Sequence, residues 1–85
     1  MKIRLLYFAR LREAFGLPGE EVTLPEAVRD VAALSEWLRA RGGAWALELA
    51  PGRAYRVAVD QEMAGPDTRL RADAEVAIFP PVTGG

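Results

Sequence analysis

One segment constrains the fold more than any other. "DVAALSEWLRARGG", residues 30–43, is the clearest amphipathic helix in the chain. Val31, Leu34 and Leu38 recur on one side at helical spacing, with Trp37 beside them. Asp30 stands where an N-cap belongs, Arg39 and Arg41 suit the negative end of the helix dipole, and Gly42-Gly43 supply a stop. A single apolar stripe of this kind needs a surface to lie on, and short strands on both sides of it in sequence can provide one.

"KIRLLYFA" alternates at period two: Ile3, Leu5 and Tyr7 fall on one face, and Lys2, Arg4, Leu6 and Phe8 on the other. "RLREAFG" makes a short helical turn stopped by Gly16 and Pro18, and "EEVTL" is a second strand close enough to pair as a hairpin. After the main helix, "AWALELAPG" is a short second helix ended by Pro51-Gly52. "YRVAVD" is a third strand with Tyr55, Val57 and Val59 on one face, and "QEMA" folds back as a fourth. "AEVAIF" is a fifth, with Val76 and Ile78 on one face and Ala77 and Phe79 on the other. This order suits an α+β domain with its helix on one sheet face. The arrangement expected is the β-grasp, or ubiquitin-like, fold: a mixed sheet of about five strands, with the first and last strands parallel neighbours at its centre. At 85 residues there is room for one domain. It spans 1–79, and residues 80–85 form an extended, flexible C-terminal tail.

Composition narrows the chemistry. Cysteine and histidine are both absent, which removes disulfides, thiol catalysis, Cys/His zinc sites and histidine acid–base chemistry. The net charge of −1 gives no electrostatic reason to expect nucleic acid or an anionic membrane as partner. No apolar run approaches the roughly 18 residues of a membrane span. Arg4 interrupts the one N-terminal stretch that faintly resembles a signal peptide, so a cytoplasmic protein is expected. Asp60, Glu62, Asp67 and Asp73 fall near turns and read as turn residues rather than metal ligands. Trp37 and Trp45 read as helix residues packing on the sheet, Arg10 and Arg12 as solvated loop arginines with a partner's acidic edge as the other reading, and Glu20-Glu21 as a charged strand start.

The chain ends "FPPVTGG". Gly84 and Gly85 lack Cβ atoms and can enter a narrow channel, while Pro80 and Pro81 favour an extended stem that lowers the entropy cost of pointing outward. Six residues beyond Phe79 reach about 20 Å. A terminal carboxylate is ionised at neutral pH and inert as an acyl donor until activated, for example as a mixed anhydride with AMP. A sulfur nucleophile could then displace AMP and leave a thiocarboxylate. These residues alone leave two readings open: an incidental floppy end, or a working carboxylate on a slim stem.

The whole chain resembles the small subunit of molybdopterin synthase, the MoaD family of ubiquitin-like sulfur carriers. "DAEVAIFPPVTGG" is the strongest match, with "IRLLYFARLRE", "WALEL" and "VAVDQEMA" also similar. Ala72-Asp73 departs from the Asp-Gly that often precedes the last strand in relatives. The resemblance implies that an E1-like adenylyltransferase of the MoeB type uses ATP to adenylate Gly85, and that a sulfur donor converts it to a thiocarboxylate. Val82, Thr83 and Gly84, with the two prolines, would thread into the large synthase subunit, and two copies of each subunit are expected. Sulfur would pass to cyclic pyranopterin monophosphate (precursor Z) to form the molybdopterin dithiolene. The chain itself would bind no cofactor or metal and would not be catalytic alone. Alternatives are a carrier for thiazole synthesis or tRNA thiolation, a ubiquitin-like modifier conjugated through Gly85, and a non-covalent binding domain with an incidental tail.

On this fold Ile3, Leu5, Val57, Val59, Val76 and Ile78 point at the helix. Leu6, Phe8, Ala58, Ala77 and Phe79 then line the open face, where an antiparallel sheet is normally polar. The resemblance carries the family's partner contacts to Phe8, Met63 and Phe79. The other possibility at Phe8 is inverted strand parity, which would place it in the core.

Overall fold

The computed structural model of the chain describes residues 1–81. Eight elements follow one another: β1 (Lys2–Tyr7), α1 (Ala9–Phe15), β2 (Gly19–Thr23), α2 (Val31–Arg39), α3 (Gly43–Glu48), β3 (Arg56–Val59), β4 (Glu62–Ala64) and β5 (Glu75–Phe79). The five strands form one mixed sheet in the order β2-β1-β5-β3-β4. β1 and β5 run parallel inside it, with Leu5 beside Val76 and Tyr7 beside Ile78, and every other pairing is antiparallel. This is the α+β, β-grasp arrangement expected from the element order.

Register explains the burial. Ile3, Leu5 and Tyr7 of β1 and Val76 and Ile78 of β5 are each no more than 1% exposed, because strands inside the sheet have neighbours on both sides and helices above. Leu11 and Phe15 of α1, Val31, Leu34 and Leu38 of α2, and Leu49 after α3 close the core. Burying one such side chain contributes about 1.5–3 kcal/mol.

The caps follow local chemistry. The Asp30 carboxylate accepts a bond from the Ala33 N–H at 2.8 Å. Gly16 ends α1 in the left-handed region, φ 76°, and donates to the Arg12 carbonyl. Gly42 behaves differently from expectation. The backbone leaves α2 at Ala40, still right-handed, and Gly42, at φ 77°, serves as the N-cap of α3. Only residues 40–42 separate the two helices. Asp73 keeps the turn before β5 at φ 65°, so the departure at Ala72-Asp73 leaves the turn intact.

Candidate functional site

The outer face of the sheet is read from the pairing. Leu6 lies beside Ala77, Ala77 beside Ala58, and Ala58 beside Met63, so one row crosses four strands. A second row sets Phe79 opposite Arg56. Phe8 follows β1 directly and donates its N–H to the Ile78 carbonyl at 3.2 Å, which carries it alongside β5. Phe8 is 47% exposed and Met63 64%; Leu6, Ala77 and Phe79 are half-buried. Strand parity is therefore as expected and Phe8 is not a core residue. Ala58 differs in degree. It lies in the row but is buried, flanked by Ala77 of β5 on one side and Met63 of β4 on the other.

Alternation along β1 puts Phe8 on the outer face, and the next residue turns the chain. Ala9 has φ 51°, in the left-handed region, where a residue with a Cβ incurs roughly 1–2 kcal/mol of strain. That one residue swings the chain from β1 into α1. Leu11 and Phe15 enter the core while Phe8 stays on the far face.

β5 ends at Phe79, and Pro80 and Pro81 follow, both half-buried. The stem thus leaves the sheet beside the two phenylalanines. Val82, Thr83, Gly84 and Gly85 lie outside the described residues.

A polar cluster missed in the sequence joins the helical layer to the sheet edge. Glu20 pairs with Leu5 and so faces the helices from edge strand β2. Its carboxylate accepts from Arg41 Nη1 at 2.8 Å and Nη2 at 3.0 Å, and from the Tyr7 hydroxyl at 2.7 Å. The Arg41 guanidinium lies over both Trp45 and Trp37, at 4.9 and 5.3 Å from the ring centroids. Trp45 stacks on Phe15 of α1 with rings 3° from parallel and packs against the core. Burial pushes the Tyr7 phenol up, and its bond to Glu20 adds to this. Burial alone would raise the Glu20 carboxyl as well. The bonds from Arg41 and Tyr7 outweigh it and hold the carboxyl below its usual range. Glu20 is therefore an anchor rather than a plain strand start, and nothing in local sequence marks it as one.

Arg10, expected in a solvated loop, is on α1 and bonds Glu48 through Nε at 3.1 Å. Arg12 is exposed. Among the described residues no group of three or more Asp and Glu side chains could hold a metal ion, and no helix is long and apolar enough to cross a membrane.

The ThiS family model matches residues 5–85. The chain belongs to the ThiS family. It is 40% identical to the molybdopterin synthase sulfur carrier subunit of Escherichia coli, over 98% of this chain and 99% of that one. This places it with the molybdopterin synthase sulfur carrier subunits. A putative molybdopterin converting factor subunit 1 from Pyrococcus furiosus has a similar structure, with TM-score 0.80, 28% identity, and 96% and 99% of the two chains covered. Small archaeal modifier protein 1 of Haloferax volcanii is similar at TM-score 0.74 and 26% identity, over 95% and 98% of the chains. A complex of subunits 1 and 2 of the molybdopterin-converting factor from Helicobacter pylori contains a chain of the same fold, at TM-score 0.67, 20% identity and full coverage of both.

Proposed function

We propose that Gly85 carries sulfur as a terminal thiocarboxylate and delivers it inside a molybdopterin synthase. The observation that supports this most is that the family match runs through the last residue of a chain whose stem leaves the sheet beside an exposed apolar face. The Gly85 carboxylate oxygen attacks the α-phosphorus of ATP on an E1-like adenylyltransferase, and pyrophosphate leaves. A sulfur nucleophile then adds to the acyl carbon, AMP leaves, and a thiocarboxylate remains. The sulfur is transferred to cyclic pyranopterin monophosphate in the large subunit, and water restores the carboxylate. Two sulfurs per dithiolene require two charged carriers, and the synthase proposed has two copies of each subunit.

The division of labour follows from the chain's composition. With no cysteine and no histidine, the carrier has no thiol or imidazole of its own, and the sulfur it receives supplies the soft nucleophile. Phe8, Met63 and Phe79 dock against the partner, Pro80 and Pro81 direct the stem, and Val82, Thr83 and Gly84 thread the channel. Removing Gly85 tests this reading. Conversion of the pterin precursor should stop while the thermal midpoint stays within a degree or two, since terminal backbone adds little to the core. A truncated chain that still supports conversion refutes it.

Likeness to a small archaeal modifier favours a second reading, in which the same acyl adenylate is attacked by lysine amines of other proteins. Covalent adducts of higher mass that appear in cells and vanish on loss of Gly85 would establish that use.

A further inference from the structure

Two arginines on different elements converge on one carboxylate beside the point where the tail leaves the sheet. Arg10 Nε of α1 and Arg53 Nη2 of the loop before β3 both bond Oε1 of Glu48, each at 3.1 Å. Arg10 also reaches the Ala54 carbonyl at 3.5 Å. Glu48 is only 9% exposed and is the last residue of α3, where a negative charge opposes the helix dipole. A buried carboxylate in that position is locally unfavourable, and such conflicts concentrate at functional sites. What Glu48 achieves is to fix two guanidiniums in place while leaving them about half exposed. Arg56 joins them. It is exposed, lies opposite Phe79 on the outer face, and makes no ion pair among the described residues. Among these four residues, three positive charges stand against one carboxylate.

Resting on the proposed docking of the tail in a partner, we propose that Arg10, Arg53 and Arg56 form a basic collar that fits an acidic rim on the partner protein around the mouth of its channel. The collar is continuous with the apolar face, because Arg56 and Phe79 are register neighbours. The apolar face supplies area, and the collar sets orientation, so that the stem meets the opening. Charged rims act chiefly on the association rate and its salt dependence. At the other end of the outer face the signs are mixed: Lys2 pairs with Glu21 at 3.5 Å, and Arg4 lies beside Glu75, so that end carries no comparable surplus.

The test is stopped-flow association of the full chain with the large subunit of molybdopterin synthase at low and high salt. For the unaltered chain the rate should fall at least several-fold as salt rises through the physiological range. Arg56→Glu lies outside the Glu48 network and should fold normally. It should slow association about tenfold at low salt and flatten the salt dependence, with little change in dissociation. The triple variant Arg10→Gln, Glu48→Gln, Arg53→Gln removes the network without stranding a buried charge, and should do the same. Rates and salt slopes like those of the unaltered chain in both variants overturn the collar while leaving the carrier reading intact. A loss confined to binding of AMP or inorganic pyrophosphate also overturns it, because the collar would then read phosphate. If the unaltered chain fails to bind the large subunit at any salt concentration, the docking reading falls and the collar with it.

Discussion

Replacing Phe8 by aspartate separates a docking residue from a core residue. Full burial of a phenylalanine contributes about 1.5–3 kcal/mol. Phe8 is 47% exposed, so its removal forfeits about 1 kcal/mol. A gain opposes that loss. Phe8 occupies the N-cap of α1 with extended backbone and makes no side-chain cap bond. Aspartate there can accept from the first turn, which is worth about 0.5–2 kcal/mol relative to an uncapped end. The two effects nearly cancel, so Phe8→Asp should shift stability by no more than about 1 kcal/mol, or about 4–8 °C in Tm for a domain of this size. Phe8→Ala, without the cap, should show the loss. Val57→Asp is the contrast. Val57 is 6% exposed, and an unpaired charge there costs about 3–5 kcal/mol, a large part of the stability of a small domain. Binding should behave in the opposite way. An anchor at an interface centre is worth about 2 kcal/mol or more, so Phe8→Asp should raise Kd for the large subunit about thirtyfold. Thermal melts by circular dichroism and titration calorimetry measure both. A Phe8→Asp protein that is unfolded, or one that is folded and binds normally, refutes the assignment.

Glu20→Gln should lower stability at pH 7 by about 1–2 kcal/mol, since it weakens charge-assisted bonds from Arg41 and Tyr7 that are only partly screened. The folded-state pKa of Glu20 lies below its ordinary value, so the stabilisation is present above about pH 4.5 and is lost as pH falls through the folded pKa. The variant should therefore lose less stability than the unaltered chain on acidification below about pH 4.5; parallel acid profiles would contradict this. Gly19→Ala should cost about 1–3 kcal/mol, because a Cβ there comes within 2.5 Å of the Leu5 carbonyl oxygen, on backbone that cannot yield cheaply. An unchanged Tm would show that the β1–β2 pairing relaxes more readily than this contact implies.

How far sequence carried the account depends on the range of the interactions. Ile3, Leu5 and Tyr7 were legible as core, and Phe8 as an outer residue, because period-two alternation fixes the face of every residue once one is placed. Asp30 was legible because a cap acts over three residues. Trp45 against Phe15 and the Tyr7–Glu20–Arg41 contact were not, since each joins elements far apart in the chain and no local pattern announces such a meeting. Arg41 over Trp37 and Trp45 is only four residues from each, but depends on the bend at Gly42 between the two helices. Glu48 was hidden for the same reason: a glutamate at the end of a short helix reads as solvated until two arginines from other elements arrive. Gly42-Gly43 misled slightly, because glycines after a helix signal its end equally well whether they cap it or begin the next one. For the candidate site, the outer-face residues followed from alternation, whereas the roles of the tail came from resemblance.

The central claim is that the last carbon of this chain carries sulfur. Intact-mass measurement addresses it directly, after incubating the full chain with an E1-like adenylyltransferase, ATP and a sulfide source. The account predicts a gain of about 16 Da, one oxygen replaced by sulfur, confined to the C-terminal peptide and absent without ATP. An unchanged mass, under conditions in which the same enzyme converts the similar Escherichia coli carrier subunit, would contradict it.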